Sequence, residues 1–455
     1  MDPNREDCRS FLLLTDARRR GIITTVGLAL LFFGCAKSPE TSTTSTSASS
    51  PRVPQRVLVT PVAAEAPKPL TAQETARQQE LEAQLAKERP TQRIRFRSGR
   101  LLEGHIVAET PTEVRVRDGF GYSGYVVETY RRTEIASIEP LPAAAFAVTP
   151  DDVRFSAEFP QFHFVKIPPY TIVTDESYGE VQRILGLLTS LREQFLQSFA
   201  PLIRDRNEQK DIRVVFFGSE KAFRQYAEHA APAFVNSAGF YSSRENRLAL
   251  LNQLGTARYS EAKTRLDERG RQLSRSASAG AQIAAIRSDL TLEAKAMNER
   301  LIRHEGAHQL FRAYHIHSRL GIEPTWLVEG LAQYCETAEI GRFHFALADR
   351  ISTARAKGQF LPLKTLLDHR DPSGFFALGN AKLEVAYAES WALVYMLMQD
   401  ESRERFFSYL KSYRDLNDDR ASAALEADPA GVLEKHLNMD FNTLEHKWNS
   451  FISHM

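Results

Sequence analysis

The stretch "TLEAKAMNERLIRHEGAHQLFRAY" constrains this chain more than any other. It contains no proline, and its single glycine lies inside "HEGAH", so it reads as an uninterrupted helix. Residues four apart on a helix lie one above the other, so His304 and His308 can present their imidazoles to one point in space. Glu305 projects at a different angle and can reach the neighbourhood of that point without occupying it. The next helical segment, "PTWLVEGLAQYCETAE", carries Glu329 twenty-one residues after His308, with Gly321 and Pro324 as punctuation between the two helices. An antiparallel helix pair brings Glu329 beside the two histidines. Trp326, Leu327, Val328, Leu331 and Ala332 make its surroundings apolar, where a carboxylate without a partner is costly.

A metal ion is the partner that this donor set suits. Zinc accepts neutral imidazole nitrogens at about 2.0–2.1 Å and prefers four ligands, so three protein donors leave a position for water. His304, His308 and Glu329 are therefore the expected ligands of a Zn2+ cofactor, and Glu305 the expected catalytic base, in an H-E-x-x-H arrangement. Zinc lowers the pKa of water towards about 7, Glu305 accepts the proton, and the same residue returns it to a departing amine. "YHIHS" puts His315 and His317 at a helix end, where they are expected to face solvent.

The rest of the chain sets the context. With 455 residues, two or three units are expected. A formal charge of +1 gives no electrostatic footprint for nucleic acid. The three cysteines, Cys8, Cys35 and Cys335, are far apart, which argues against a disulfide framework and a cysteine-rich zinc site. "ARRR", then "GIITTVGLALLFFG", then Cys35 is a targeting pattern, and the apolar run is short for a membrane span. "LFFGC" resembles a lipoprotein cleavage box, which implies a lipidated Cys35, a membrane partner through that lipid, and a place in the cell envelope facing the periplasm or exterior. Plain secretion and a retained N-terminal anchor are the alternatives.

The expected organisation is a signal segment at 1–35, then a flexible tether with a short polar helix at 36–90. Alternating apolar residues at 91–145 suggest a small β-barrel of SH3-like or Sm-like kind. Residues 153–455 read as an α+β unit with a mixed sheet and a helical C-terminal half, interrupted by an insertion at 254–290.

"HEGAH" followed by "WLVEGLAQY" is similar to the gluzincin, or peptidase MA-like, superfamily, and closely so to a bacterial domain family of unknown function that pairs HExxH with W-x-x-E-G-x-A. The resemblance implies a zincin-like fold for 153–455, a metallopeptidase activity, zinc on His304, His308 and Glu329, and catalysis by Glu305. It also implies a second donor to the tetrahedral intermediate, for which Tyr387, just before "WALVYMLM", is the candidate. Substrate would be a peptide or protein, bound as an added strand near "SAGFYSSRENRLALLN", with Gly239 and Phe240 lining the site. A zinc-binding envelope scaffold without turnover and a non-peptide hydrolase are the competing readings. Oligomeric state is not legible.

Overall fold

The computed structural model describes residues 69–118, 126–205, 211–272, 277–317, 323–368, 380–414, 423 and 427–455. The expected signal segment, Cys35 and most of the tether lie outside the described residues. The architecture is α+β, built on two five-stranded sheets.

The first sheet contains β1 (Gln92–Phe96), β2 (Leu101–Glu109), β3 (Glu113–Asp118), β4 (Val126–Arg131) and β5 (Ile135–Pro140). Alternation works as expected here: Ile94 and Phe96, Val114 and Val116 turn inward to pack with Leu102, Tyr130 and Ile135. The expected closure does not. The strand order is β4-β3-β2-β1-β5 with antiparallel neighbours, and among the described residues no ladder joins β4 to β5. These two strands are consecutive in the chain, separated by one 3-10 turn at Arg132–Glu134, yet they form opposite edges. The small SH3-like or Sm-like β-barrel is therefore corrected to an open sheet. Alternation reports which face is buried, whereas closure depends on register and edge pairing. Here β2 pairs with β1 over Leu101–Gly104 and with β3 from His105 on, and its register with β3 shifts between Ile106 and Ala108.

The second sheet is mixed. It contains β6 (His163–Ile167), β7 (Tyr170–Thr174), β8 (Ile212–Phe217), β9 (Gly239–Ser242) and β10 (Arg247–Leu251) in the order β6-β7-β8-β10-β9. The three inner strands run parallel, and both edge strands are antiparallel to their neighbours. Its strands are apolar on both faces, as a sheet covered on both sides requires. Val214, Phe216, Leu248 and Leu250 enter one core, while Val215, Phe217, Ala249 and Leu251 enter the other. The second core is closed by α1 (Ala72–Glu88), α2 (Pro150–Ala157) and α4 (Glu220–Ala230). Ser219 caps α4, its side chain accepting from the Ala222 N–H. α1, although mostly polar in sequence, buries Leu81 and Leu85 there.

The first core is closed by α3 (Tyr178–Ser198) and by the helical half of the chain. That half comprises α5 (Ala257–Gln272), α6 (Ala277–Ala313), α7 (Thr325–Tyr334), α8 (Phe345–Ala356), α9 (Leu363–Asp368), α10 (Asn380–Leu397), α11 (Asp400–Arg414), α12 (Pro429–Leu437) and α13 (Phe441–Ser453). α6 is 37 residues long and runs without a break from the segment around residue 280 into "HEGAH". Among the described residues no helix is long and apolar enough to cross a membrane.

Candidate metal centre

Two close helix contacts put the centre together. Gly306, at the middle of "HEGAH", faces α3: a Cβ there would come 2.9 Å from Leu191 Cδ2. Gly330 faces α10, where a Cβ would come 2.4 Å from the Ser390 carbonyl oxygen. Only glycine permits that approach of α7 to α10, and it brings Glu329 and Tyr387 to the walls of one cavity. Buried Trp326, Leu327, Leu331 and Ala332 fix α7 against the core. Arg303, itself buried, ties the two motif helices by donating from Nε to the Cys335 carbonyl at 2.9 Å.

The result is a cluster of His304, His308 and Glu329. The two Nε2 atoms are 3.2 Å apart. Glu329 Oε2 lies 3.3 Å from His304 Nε2 and 3.6 Å from His308 Nε2. A tetrahedral ion with bonds of about 2.0–2.1 Å spaces its ligands by about 3.3–3.4 Å. The three donors thus form a triangle of the size that one such ion spans. Their chemistry fits as well, with two imidazole nitrogens and one carboxylate oxygen on a half-buried wall. The residues present therefore suit a zinc-like cation.

Behind the triangle stands a residue that the sequence did not single out. Glu336, buried, accepts from His304 Nδ1 at 2.7 Å, and its other oxygen lies 3.3 Å from His344 Nε2. This contact turns His304 Nε2 toward the cluster and fixes the ring. Burial opposes ionisation of Glu336, but hydrogen bonds with His304 and His344 outweigh it and hold its carboxyl at about 2. Glu329 is likewise opposed by burial and held well below the carboxylate range by His308 and His304. Burial works against a charge on His304, yet the hydrogen bonds to Glu329 and Glu336 raise its pKa well above the ordinary value.

The cavity in front has a volume of about 270 Å³. Glu305 lines it, and burial pushes its carboxyl upward more than the histidine charges and the Tyr241 backbone N–H hold it down. Tyr387 lines it too, and burial, with the carboxylates of Glu329 and Glu305, pushes its phenol well up, so the group keeps its proton. Gly239 and Phe240 form part of the same wall, on the edge strand β9.

His317 departs from expectation. It is buried rather than solvent-facing, and it lines the cavity. The chain turns at His315, in the left-handed region at φ 57°, and the His317 N–H bonds back to the Phe311 carbonyl. Burial, with Arg312 and His308, pushes its imidazole well down. Nδ1 lies 3.7 Å from buried Glu323, and Nε2 has no hydrogen-bond partner among the described residues.

Residues 300–416 match the model of a family described as a protein of unknown function, DUF1570. The DUF1570 segment begins just before "HEGAH" and includes the whole donor cluster and Tyr387. The match agrees with the expected likeness to a domain family of unknown function and does not extend to the specific gluzincin attribution. No curated protein matches the chain.

Proposed function

We propose that the chain is a zinc-dependent hydrolase of peptide bonds. The observation that carries this reading is the donor triangle of His304, His308 and Glu329 sharing one cavity with Glu305. His304, His308 and Glu329 would hold the ion. When bound, zinc supplies a Lewis acid that polarises an amide carbonyl and acidifies water. Glu305, beside the triangle but outside it, takes the proton of the attacking water and returns it to the leaving nitrogen. Burial pushes its carboxyl upward, the direction that strengthens it as a base. Tyr387, held protonated, donates its O–H to the carbonyl oxygen as charge gathers there. The outer edge of β9 offers backbone groups to an extended peptide. The donor residues of "HEGAH" and "WLVEGLAQY" support the chemistry, and the DUF1570 match leaves the substrate open.

The test uses the full chain loaded with zinc against an unbiased peptide library. Glu305→Gln is expected to keep its zinc and lose at least about 100-fold in turnover. Equal cleavage by wild type and this variant would remove Glu305 from the mechanism. A zinc-loaded wild type that cleaves nothing would favour the scaffold reading. We further propose, from residues 17–35 alone, that Cys35 carries lipid: a fatty-acid analogue should label wild type and miss Cys35→Ser.

A further inference from the structure

α6 presents a row of four side chains to the cavity, Arg300, His304, His308 and Arg312, each four residues from the next. Such a row advances about 6 Å per step, so Arg300 stands one turn before the first donor histidine. The other arginines of the cavity have partners within the fold. Arg350 pairs with Glu384 at 3.4 Å, and Arg312 has interactions of its own. Arg300 differs: among the described residues it has no ion-pair partner, and its Nε is screened from solvent without an acceptor. A guanidinium in that position is short of the anion that its planar fork matches best, a carboxylate.

β9 gives this a direction. Gly239 lies against Leu301, next to Arg300, while the Tyr241 backbone N–H reaches Glu305. The edge strand therefore runs alongside α6 from the Arg300 end to the proposed base. A peptide laid along it advances about 3.3 Å per residue, with alternate side chains on the same face. A side chain two residues from the bond facing Glu305 is displaced by about one helical turn, the step from His304 to Arg300. We propose that Arg300 selects substrates carrying a carboxylate about two residues from the scissile bond, either an acidic side chain or the peptide's own C-terminus. The substrate role rests on the hydrolytic reading; the binding preference does not.

The experiment measures fluorescence anisotropy of labelled peptides on the zinc-loaded full chain carrying Glu305→Gln. The peptides differ only by Glu, Gln or Lys at each position in turn, and each is made with a free and an amidated C-terminus. At one position, or at the free terminus, the carboxylate is expected to tighten binding at least about tenfold over its neutral counterpart. The position or the terminus that responds identifies the source. Adding Arg300→Gln should abolish the difference, Arg300→Lys should retain part of it, and Arg300→Glu should turn the preference toward Lys. Zinc content and circular dichroism matching the parent certify each fold, and Arg300→Gln suffices should the charge reversal fail to fold. Equal binding of Glu, Gln and Lys peptides, a preference that survives Arg300→Gln, or no peptide binding overturns the proposal. A preference that Arg300→Gln abolishes, in a protein whose wild type cleaves no peptide, upholds it while overturning the hydrolytic reading.

Discussion

Glu336 shows how much of a candidate metal site resides behind its donor residues. Its carboxylate orients His304 and is itself aligned by His344, the residue that caps α8. Glu336→Ala is expected to weaken zinc affinity by about 10–100-fold, measured by competition with a chelating dye, and Glu336→Gln by less, because an amide oxygen can still accept from Nδ1. Proton linkage follows from the same residues. A metal needs His304 neutral, and in the metal-free protein that imidazole holds its proton well above its ordinary value. Zinc uptake at pH ~7 should therefore release about one proton, seen by calorimetry in buffers of different ionisation enthalpy, and affinity should rise with pH. Stability of the metal-free protein has two signs. The raised His304 contributes below its ordinary value of 6.5 and is lost as pH rises through its folded value. The depressed Glu336 contributes above its ordinary value of 4.5 and is lost as pH falls toward about 2. Thermal unfolding of stripped protein should thus show stability declining on both the acid and the alkaline side. His304, Glu305 and His308 were legible because helical spacing alone brings them together. Glu336 and His317 were not, since each reaches the site only after the chain turns: one at the end of α7, the other past the left-handed residue at His315.

At the scale of elements, the contact between α7 and α10 sets the position of Glu329. Gly330→Ala would drive a methyl group to 2.4 Å from a backbone oxygen, which no rotamer change relieves. It is expected to cost about 1–3 kcal/mol in urea unfolding and to weaken zinc binding as well, since Glu329 must move with its helix. Gly306→Ala meets only the flexible ends of Leu191 and Leu188 and should be milder. Periodicity made these helices and most strands readable, including "YTIVTD" as β7 and the hairpin of β9 and β10. It could not reveal that β4 and β5 stay apart. Edge pairing is settled by register, and the shift within β2 leaves no residue-type signature in "GHIVAET".

Across the described residues, the mixed sheet separates two cores, and the candidate metal centre sits on the helical side of it. α6 joins both levels, packing Ile302, Leu310 and Phe311 into the core while its other face lines the cavity. The central claim is that His304, His308 and Glu329 hold one zinc ion. Zinc-edge anomalous diffraction from crystals of the zinc-loaded full chain tests it most directly. The account expects a single strong peak about 2.0–2.1 Å from both Nε2 atoms and from a Glu329 oxygen, absent in His304→Ala. A peak elsewhere, or full zinc occupancy retained in both His304→Ala and His308→Ala, would contradict it.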